Sequence, residues 1–201
     1  MRQLKSDVWP ELCNGAGAPG IPADRDGGLL HSPLSARRPR LGGVTGLIDV
    51  VGGAVLDSLS EPGRLLVARR TAPPQFAGMW EFPGGKVESG ETAETALHRE
   101  LLEELGVRVR LGAELEAGSA AGWPLNARAV MRVWCAELVD GDPRPLQDHD
   151  ELRWIELGNR RDVLGLPWIP ADLPIVEALL DRLQGQTPGH GFPRRSGELI
   201  R

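Results

Sequence analysis

The sequence predicts an α+β domain, or a layered α/β/α arrangement around a mixed sheet. Three observations carry that expectation. Most strand-like segments stand next to one another in the chain, one amphipathic helix falls in the middle, and another closes it. No internal repeat interrupts the order.

The elements follow in sequence. "LIDVVGGAVLD" reads as a strand and "RLLVARR" as a second, and the Gly/Pro/Ser segment between them predicts a hairpin. "TAPPQFAGMWEFPGG" is a loop with a short strand at Trp80–Phe82. "ETAETALHRELLEEL" is a strong helix, and "VRVRLGAELEAG", "ARAVMRVWCAELV" and "ELRWIEL" are further strands. "PADLPIVEALLDRLQG" is the closing helix, ended by Gly185. Residues 1–45 differ in kind. They are rich in Gly, Pro, Ala and Arg without a period, and they hold six Lys/Arg against four Asp/Glu. They are expected to be a disordered tail, residues 46–185 the folded domain, and residues 186–201 a loose C-terminal tail.

Composition narrows the class. Hydrophobic residues at 41% and charged residues at 25% fit a soluble globular protein. A net charge of −5 gives no reason to bind a nucleic-acid polymer, but it allows a small phosphorylated ligand where a divalent cation inverts the local charge. No apolar run is long enough to span a bilayer, so no membrane partner is expected. Cys13 and Cys135 lie in contexts that do not make a disulfide framework, and the expected setting is cytoplasmic.

The central helix poses the chemical question. With Glu100 at zero, Glu104 lies about 40° to one side and Glu103 about 60° to the other, while Leu97, Leu101 and Leu105 fill the arc from roughly 60° to 140°. The carboxylates therefore sit at the margin of the core, over the small Ala93 and Ala96. Clustered like charge costs the helix about 0.2–0.5 kcal/mol per pair, and acid in the last turn opposes the helix dipole. Arg99 can pair with Glu103, but one cation does not balance three carboxylates. A hard divalent metal would, and a solvated acidic face is the other reading. Gly84 and Gly85 in "EFPGGK" permit close approach of a ligand, and a carbonyl there would add a hard oxygen.

Gly85, Glu91 and "RELLEELGV", with Arg99, Glu100, Leu101, Glu103, Glu104, Gly106 and Val107, match every fixed position of the Nudix box. The chain thus resembles the Nudix hydrolases, and the resemblance extends over roughly residues 46–185. It implies hydrolysis of a nucleoside diphosphate linked to another group, with Mg²⁺ or Mn²⁺ as cofactor. It implies that Glu100, Glu103 and Glu104 are metal ligands, joined by a main-chain oxygen of Gly84. Arg99 would orient a glutamate of the site and Glu91 the catalytic helix. Asp148 and Glu151, in "LQDHDELRW", are the candidates for general base; His149 beside them is expected to have a surface or loop role.

The flanks resemble the MutT-like and CTP-pyrophosphohydrolase-like branch. "LLVARR" before "GMWEFPGGKVESGE" carries that likeness, as does "PWIPADLPIVEALL". The resemblance places Asp172 on the base edge, and a helix cap is its alternative role. Arg69 and Arg70 are the phosphate-side cations, one of them facing the cleft because strand side chains alternate. Trp80 and Phe82 are expected on opposite faces, one lining a base pocket; Phe82 is the candidate. The implied activity is conversion of nucleoside triphosphates to monophosphate and pyrophosphate, with oxidised nucleotides such as 8-oxo-dGTP as substrate. The alternatives are a (d)CTP-type pyrophosphohydrolase and a non-catalytic nucleotide-sensing module.

Overall fold

The computed structural model describes residues 46–185. The expected tails, 1–45 and 186–201, and Cys13 lie outside them. Eight strands form one mixed sheet: β1 Ile48–Leu56, β2 Arg64–Arg70, β3 Trp80–Glu81, β4 Gly84–Lys86, β5 Arg108–Glu114, β6 Trp123–Asn126, β7 Ala129–Asp140 and β8 His149–Glu156. Three helices accompany them: α1 Ala93–Leu105, α2 Arg160–Leu164 and α3 Leu173–Gly185.

The main path of the sheet is β3-β2-β1-β7-β5, with β4 joined to β1, β6 to β7 and β8 to β2. β1 and β7 run parallel, from Ile48 opposite Ala129 to Leu56 opposite Glu137. β1 and β2 form the expected antiparallel hairpin. Strands β4 and β6 and the short helix α2 were not foreseen. β4 has only three residues, β6 only four with Pro124 among them, and α2 only five, so none offers a readable period.

Alternation along β1 divides the core into two layers. Val51 and Val55 point to α1, where Ala96, Leu97, Leu101 and Leu105 cover them. Val50, Ala54 and Leu56 point the other way, towards Ile175, Val176, Leu179 and Leu180 of α3. Helices therefore cover both faces, as the sequence leads one to expect. Burying this many large apolar side chains contributes about 1.5–3 kcal/mol for each one.

Helix α1 begins where the Thr92 hydroxyl accepts the Thr95 N–H, and it ends at Gly106, whose left-handed φ of 71° closes the C-cap. Both ends are thus fixed by the sequence. That sets the rotation at which the glutamates face β4.

Trp80 and Phe82 do not lie on opposite faces. Both pack in the core layer under α3, Phe82 against Trp168 with ring centroids 5.6 Å apart. Residues two apart in an extended segment share a face, so the period of two accounts for this.

Candidate active site

The end of β4 meets the buried flank of α1. A Cβ on Gly84 would collide with the Val51 carbonyl, and one on Gly85 would stand 2.5 Å from Glu100 Cδ. Only glycine lets β4 lie between β1 and α1. In the space gained, the Gly84 N–H donates to Glu104 Oε2 at 3.0 Å. Glu100 is 1% exposed and Glu104 5%, while the Glu103 side chain is 30% exposed. The order follows the helix rotation: Glu104 and Glu100 lie nearest the leucine arc and Glu103 farthest from it.

Arg99 fastens the loop to the helix. Its guanidinium donates to both oxygens of Glu91, at 3.2 and 2.5 Å, to Glu100 Oε1 at 2.8 Å and to the Lys86 carbonyl at 3.1 Å. Glu103 stands 3.6 Å from the same cation. Hydrogen bonds donated to Glu91, set against partial burial and reinforced by Glu100, push the Arg99 pKa up, so it is a permanent cation. Glu91 also accepts the Glu88 N–H at 2.7 Å, which shapes the loop before α1.

A cleft of about 980 Å³ opens over these groups, lined by Gly84, Gly85, Glu91, Glu100, Glu104, Arg70 and Asp148, with Lys86 and Asp49 along its walls. The structure thereby separates pairs that the sequence left level. Arg70 and Asp148 reach the cleft. Arg69 and Glu151 do not line it: Glu151 pairs with Arg69 and Arg153, and Arg69 also with Asp150. Arg69 and Arg153 both stack over Trp80. Phe82 is buried in the core and does not line the cleft.

Asp172 sits at the start of α3, where its carbonyl accepts the Val176 N–H at 2.9 Å. Its carboxylate turns away from the helix and accepts the Phe82 N–H at 3.1 Å. Burial, with the charge of Glu81 added, raises its pKa well above the usual carboxylate range; the Phe82 N–H and Arg70 oppose the shift without cancelling it.

His149 is not a surface residue. It is buried on β8 with Nε2 2.8 Å from Glu81 Oε1. Burial alone would lower its pKa, but the hydrogen bond and charge of Glu81, helped by Glu104, hold it above the ordinary histidine value. Nδ1 is buried without a hydrogen-bond partner, which limits how readily the second proton is held. Sequence reasoning did not single out Glu81. Its signal was a lone carboxylate between two aromatic residues, where a solvated acid is out of place.

The donor set suits a hard divalent cation, because all its atoms are oxygens: the box glutamates and the adjacent glycine carbonyl. Two carboxylates buried side by side need more positive charge than Arg99 alone supplies. Among the described residues, no three His, Cys, Asp or Glu side chains stand together closely enough to hold an ion as placed. Glu100 and Glu104 are instead held by Arg99 and the Gly84 N–H. The residues fit the cation by charge, burial and donor type.

A mixed sheet covered by helices on both faces, with an acidic helix locked against a glycine pair beside an open cleft, is an arrangement suited to a divalent cation and a phosphorylated ligand. The NUDIX domain model matches residues 48–167, and the chain belongs to the Nudix family. A Mycobacterium tuberculosis protein named "Putative 8-oxo-dGTP diphosphatase 2" is 41% identical over 138 residues, covering 68% of this chain and 90% of that one. The CTP pyrophosphohydrolase of Escherichia coli K12 is 33% identical over 135 residues, covering 67% and 92%. The solution structure of the E. coli ORF135 protein superposes with a TM-score of 0.56 at 29% identity, covering 70% of this chain and 94% of that one. Nudix hydrolases act on nucleotides and generally use divalent metal ions. Among the described residues, no helix is long and apolar enough to cross a membrane.

Proposed function

We propose that the chain converts nucleoside triphosphates to the monophosphate and pyrophosphate in the presence of Mg²⁺, with oxidised nucleotides such as 8-oxo-dGTP as preferred substrates. The observation that carries this is the single cleft that gathers Glu100, Glu104, Gly84, Arg70 and Asp148. Glu100 and Glu104, with Glu103 and the Gly84 carbonyl, would hold the cation. Bound there, it would screen the polyphosphate and acidify a water. The chain's own groups do the rest. Arg70 offers a planar guanidinium to phosphate oxygens. Asp148, which lines the cleft, would take a proton from the attacking water. Arg99 and Glu91 hold Glu100 still, so little reorganisation remains at the moment of reaction.

Asp172 is the proposed base-reading residue, although here it is buried on the Phe82 N–H and does not line the cleft. A neutral carboxyl both donates and accepts, whereas a carboxylate only accepts. Oxidation at C8 gives guanine an N7–H donor beside its O6 acceptor, a pair that a protonated Asp172 would complement. A carboxylate would instead suit the amino group of cytosine. The likeness to the E. coli CTP pyrophosphohydrolase favours that second reading, (d)CTP hydrolysis.

The test is release of pyrophosphate from 8-oxo-dGTP, dGTP, dCTP and CTP, with Mg²⁺ and with chelator. The expected result is metal-dependent turnover with the highest kcat/KM for 8-oxo-dGTP. Preference for dCTP or CTP would establish the second reading, and tight nucleotide binding without turnover would make the domain a sensor.

A further inference from the structure

The box and the cleft leave one buried ionic group unexplained. Strand β2 runs between β3 and β8, and three charged or titratable side chains meet at its end: Arg70, Glu81 and His149. All are buried. Glu81 Oε1 accepts from Arg70 Nη1 at 2.8 Å and lies 2.8 Å from His149 Nε2. A β-bulge between Arg69 and Arg70 sets Arg70 opposite His149, while Arg69 stays opposite Glu151. The bulge thus brings Arg70 and His149 to one carboxylate.

A buried ion pair is a poor device for stability, since a well-packed apolar replacement is often as stable. This one has a geometric effect. Arg70 Nε donates to the Ala72 carbonyl at 2.6 Å and Nη1 to Glu81, which fixes the plane of the guanidinium. Nη2 is left on the side of Asp148, 3.8 Å from its carboxylate, at the cleft wall. Asp148 in turn is pinned through its carbonyl, which accepts the Thr71 N–H at 2.8 Å and the Thr71 hydroxyl at 2.9 Å.

We propose that Glu81, steadied by His149, is a positioning residue that aims the Arg70 guanidinium at the polyphosphate. The inference rests on the functional reading above. Glu81 does not line the cleft, so its effect passes through Arg70.

The experiment is a double-mutant cycle on the full chain, using Glu81→Gln and Arg70→Met. His149 remains to partner Glu81 in the Arg70→Met single variant. Glu81→Gln is expected to raise KM for the preferred triphosphate by about ten- to thirtyfold and to lower kcat less. In the Arg70→Met background the same change should alter kcat/KM by less than about twofold, because the group it aims is gone. Effects that multiply in the double variant, or a Glu81→Gln enzyme with parental KM, would overturn the proposal. If Glu81→Gln does not fold, His149→Gln takes its place, with an expected rise in KM of about three- to tenfold that again vanishes in the Arg70→Met background; multiplying effects there overturn the proposal equally. A parent chain that hydrolyses no nucleotide would defeat the functional reading and this inference together. An active parent with multiplying effects defeats the inference alone.

Discussion

The carboxylate of Glu100 occupies the space that a side chain at position 85 would need: a Cβ on Gly85 would stand 2.6 and 2.7 Å from its two oxygens. The motif's glycine and its buried glutamate are therefore one structural unit. Gly85→Ala should push Glu100 off its bond with Arg99 and lower kcat at least tenfold, about 1.4 kcal/mol of transition-state stabilisation. The fold should persist, because the clash is with a movable carboxylate. Gly84→Ala meets the Val51 carbonyl instead and should cost about 1–3 kcal/mol of stability. Steady-state kinetics beside thermal melts separate the two outcomes. Parental kcat in Gly85→Ala would break the link between this packing and activity.

Glu104→Gln removes a charge and keeps an oxygen for the Gly84 N–H. Turnover should fall by about two orders of magnitude, about 2.7 kcal/mol. The melting temperature should hold or rise, since like-charge repulsion on α1 is relieved. Calorimetric titration with Mg²⁺ should show weakened binding. Unchanged turnover and unchanged Mg²⁺ affinity would remove Glu104 from the metal-binding set.

The two candidate bases now carry different expectations. Asp148 lines the cleft, and Glu151 is tied to Arg69 and Arg153. Asp148→Asn should lower kcat by about 10²-fold, with nucleotide binding retained. Glu151→Gln should change kcat less than about threefold, consistent with loss of exposed ion pairs. The reverse ranking would move the base to Glu151.

Asp172 predicts a pH dependence of stability. Its folded pKa lies above the ordinary 3.8, so its contribution is fully present below that value and is lost as pH rises through the folded value. Asp172→Asn has no such titration. The variant's advantage in Tm should therefore grow between acid and alkaline pH, by about 2–4 °C for each kcal/mol of burial cost relieved. Melts at pH 5 and pH 8.5 measure it; a constant difference would mean that the parent carboxyl does not titrate in this way. The amide still donates and accepts, so the order of substrates should persist in Asp172→Asn and flatten in Asp172→Ala.

The box was legible because its spacing is local. Glu100, Glu103 and Glu104 share one helix, and Gly84 and Gly85 lie shortly before it, so rotation about one axis orders their burial. The two-layer core was legible from alternation in β1 and from the leucines of α1. The contest between Arg69 and Arg70 was not legible, nor that between Asp148 and Glu151. Arg69 and Arg70 are adjacent and Asp148 and Glu151 only three positions apart, and the outcome turns on a β-bulge that no period announces. His149 was misplaced for a related reason. Its burial depends on Glu81, 68 residues away in the chain, and only the folded sheet brings the two together.

The parallel pairing of β1 with β7 has a consequence for assembly. Its partners lie far apart in the sequence, with the whole box between them. A fragment that stops before Ala129 holds every residue of the motif, yet β1 lacks its longest neighbour and the cleft lacks Asp148. Contacts of such separation form slowly, since the loop between them must be closed before pairing begins. In chain order the acidic helix is complete before β7 has been made. The cleft with Asp148 in its wall therefore requires a strand from the second half of the chain to pair along β1.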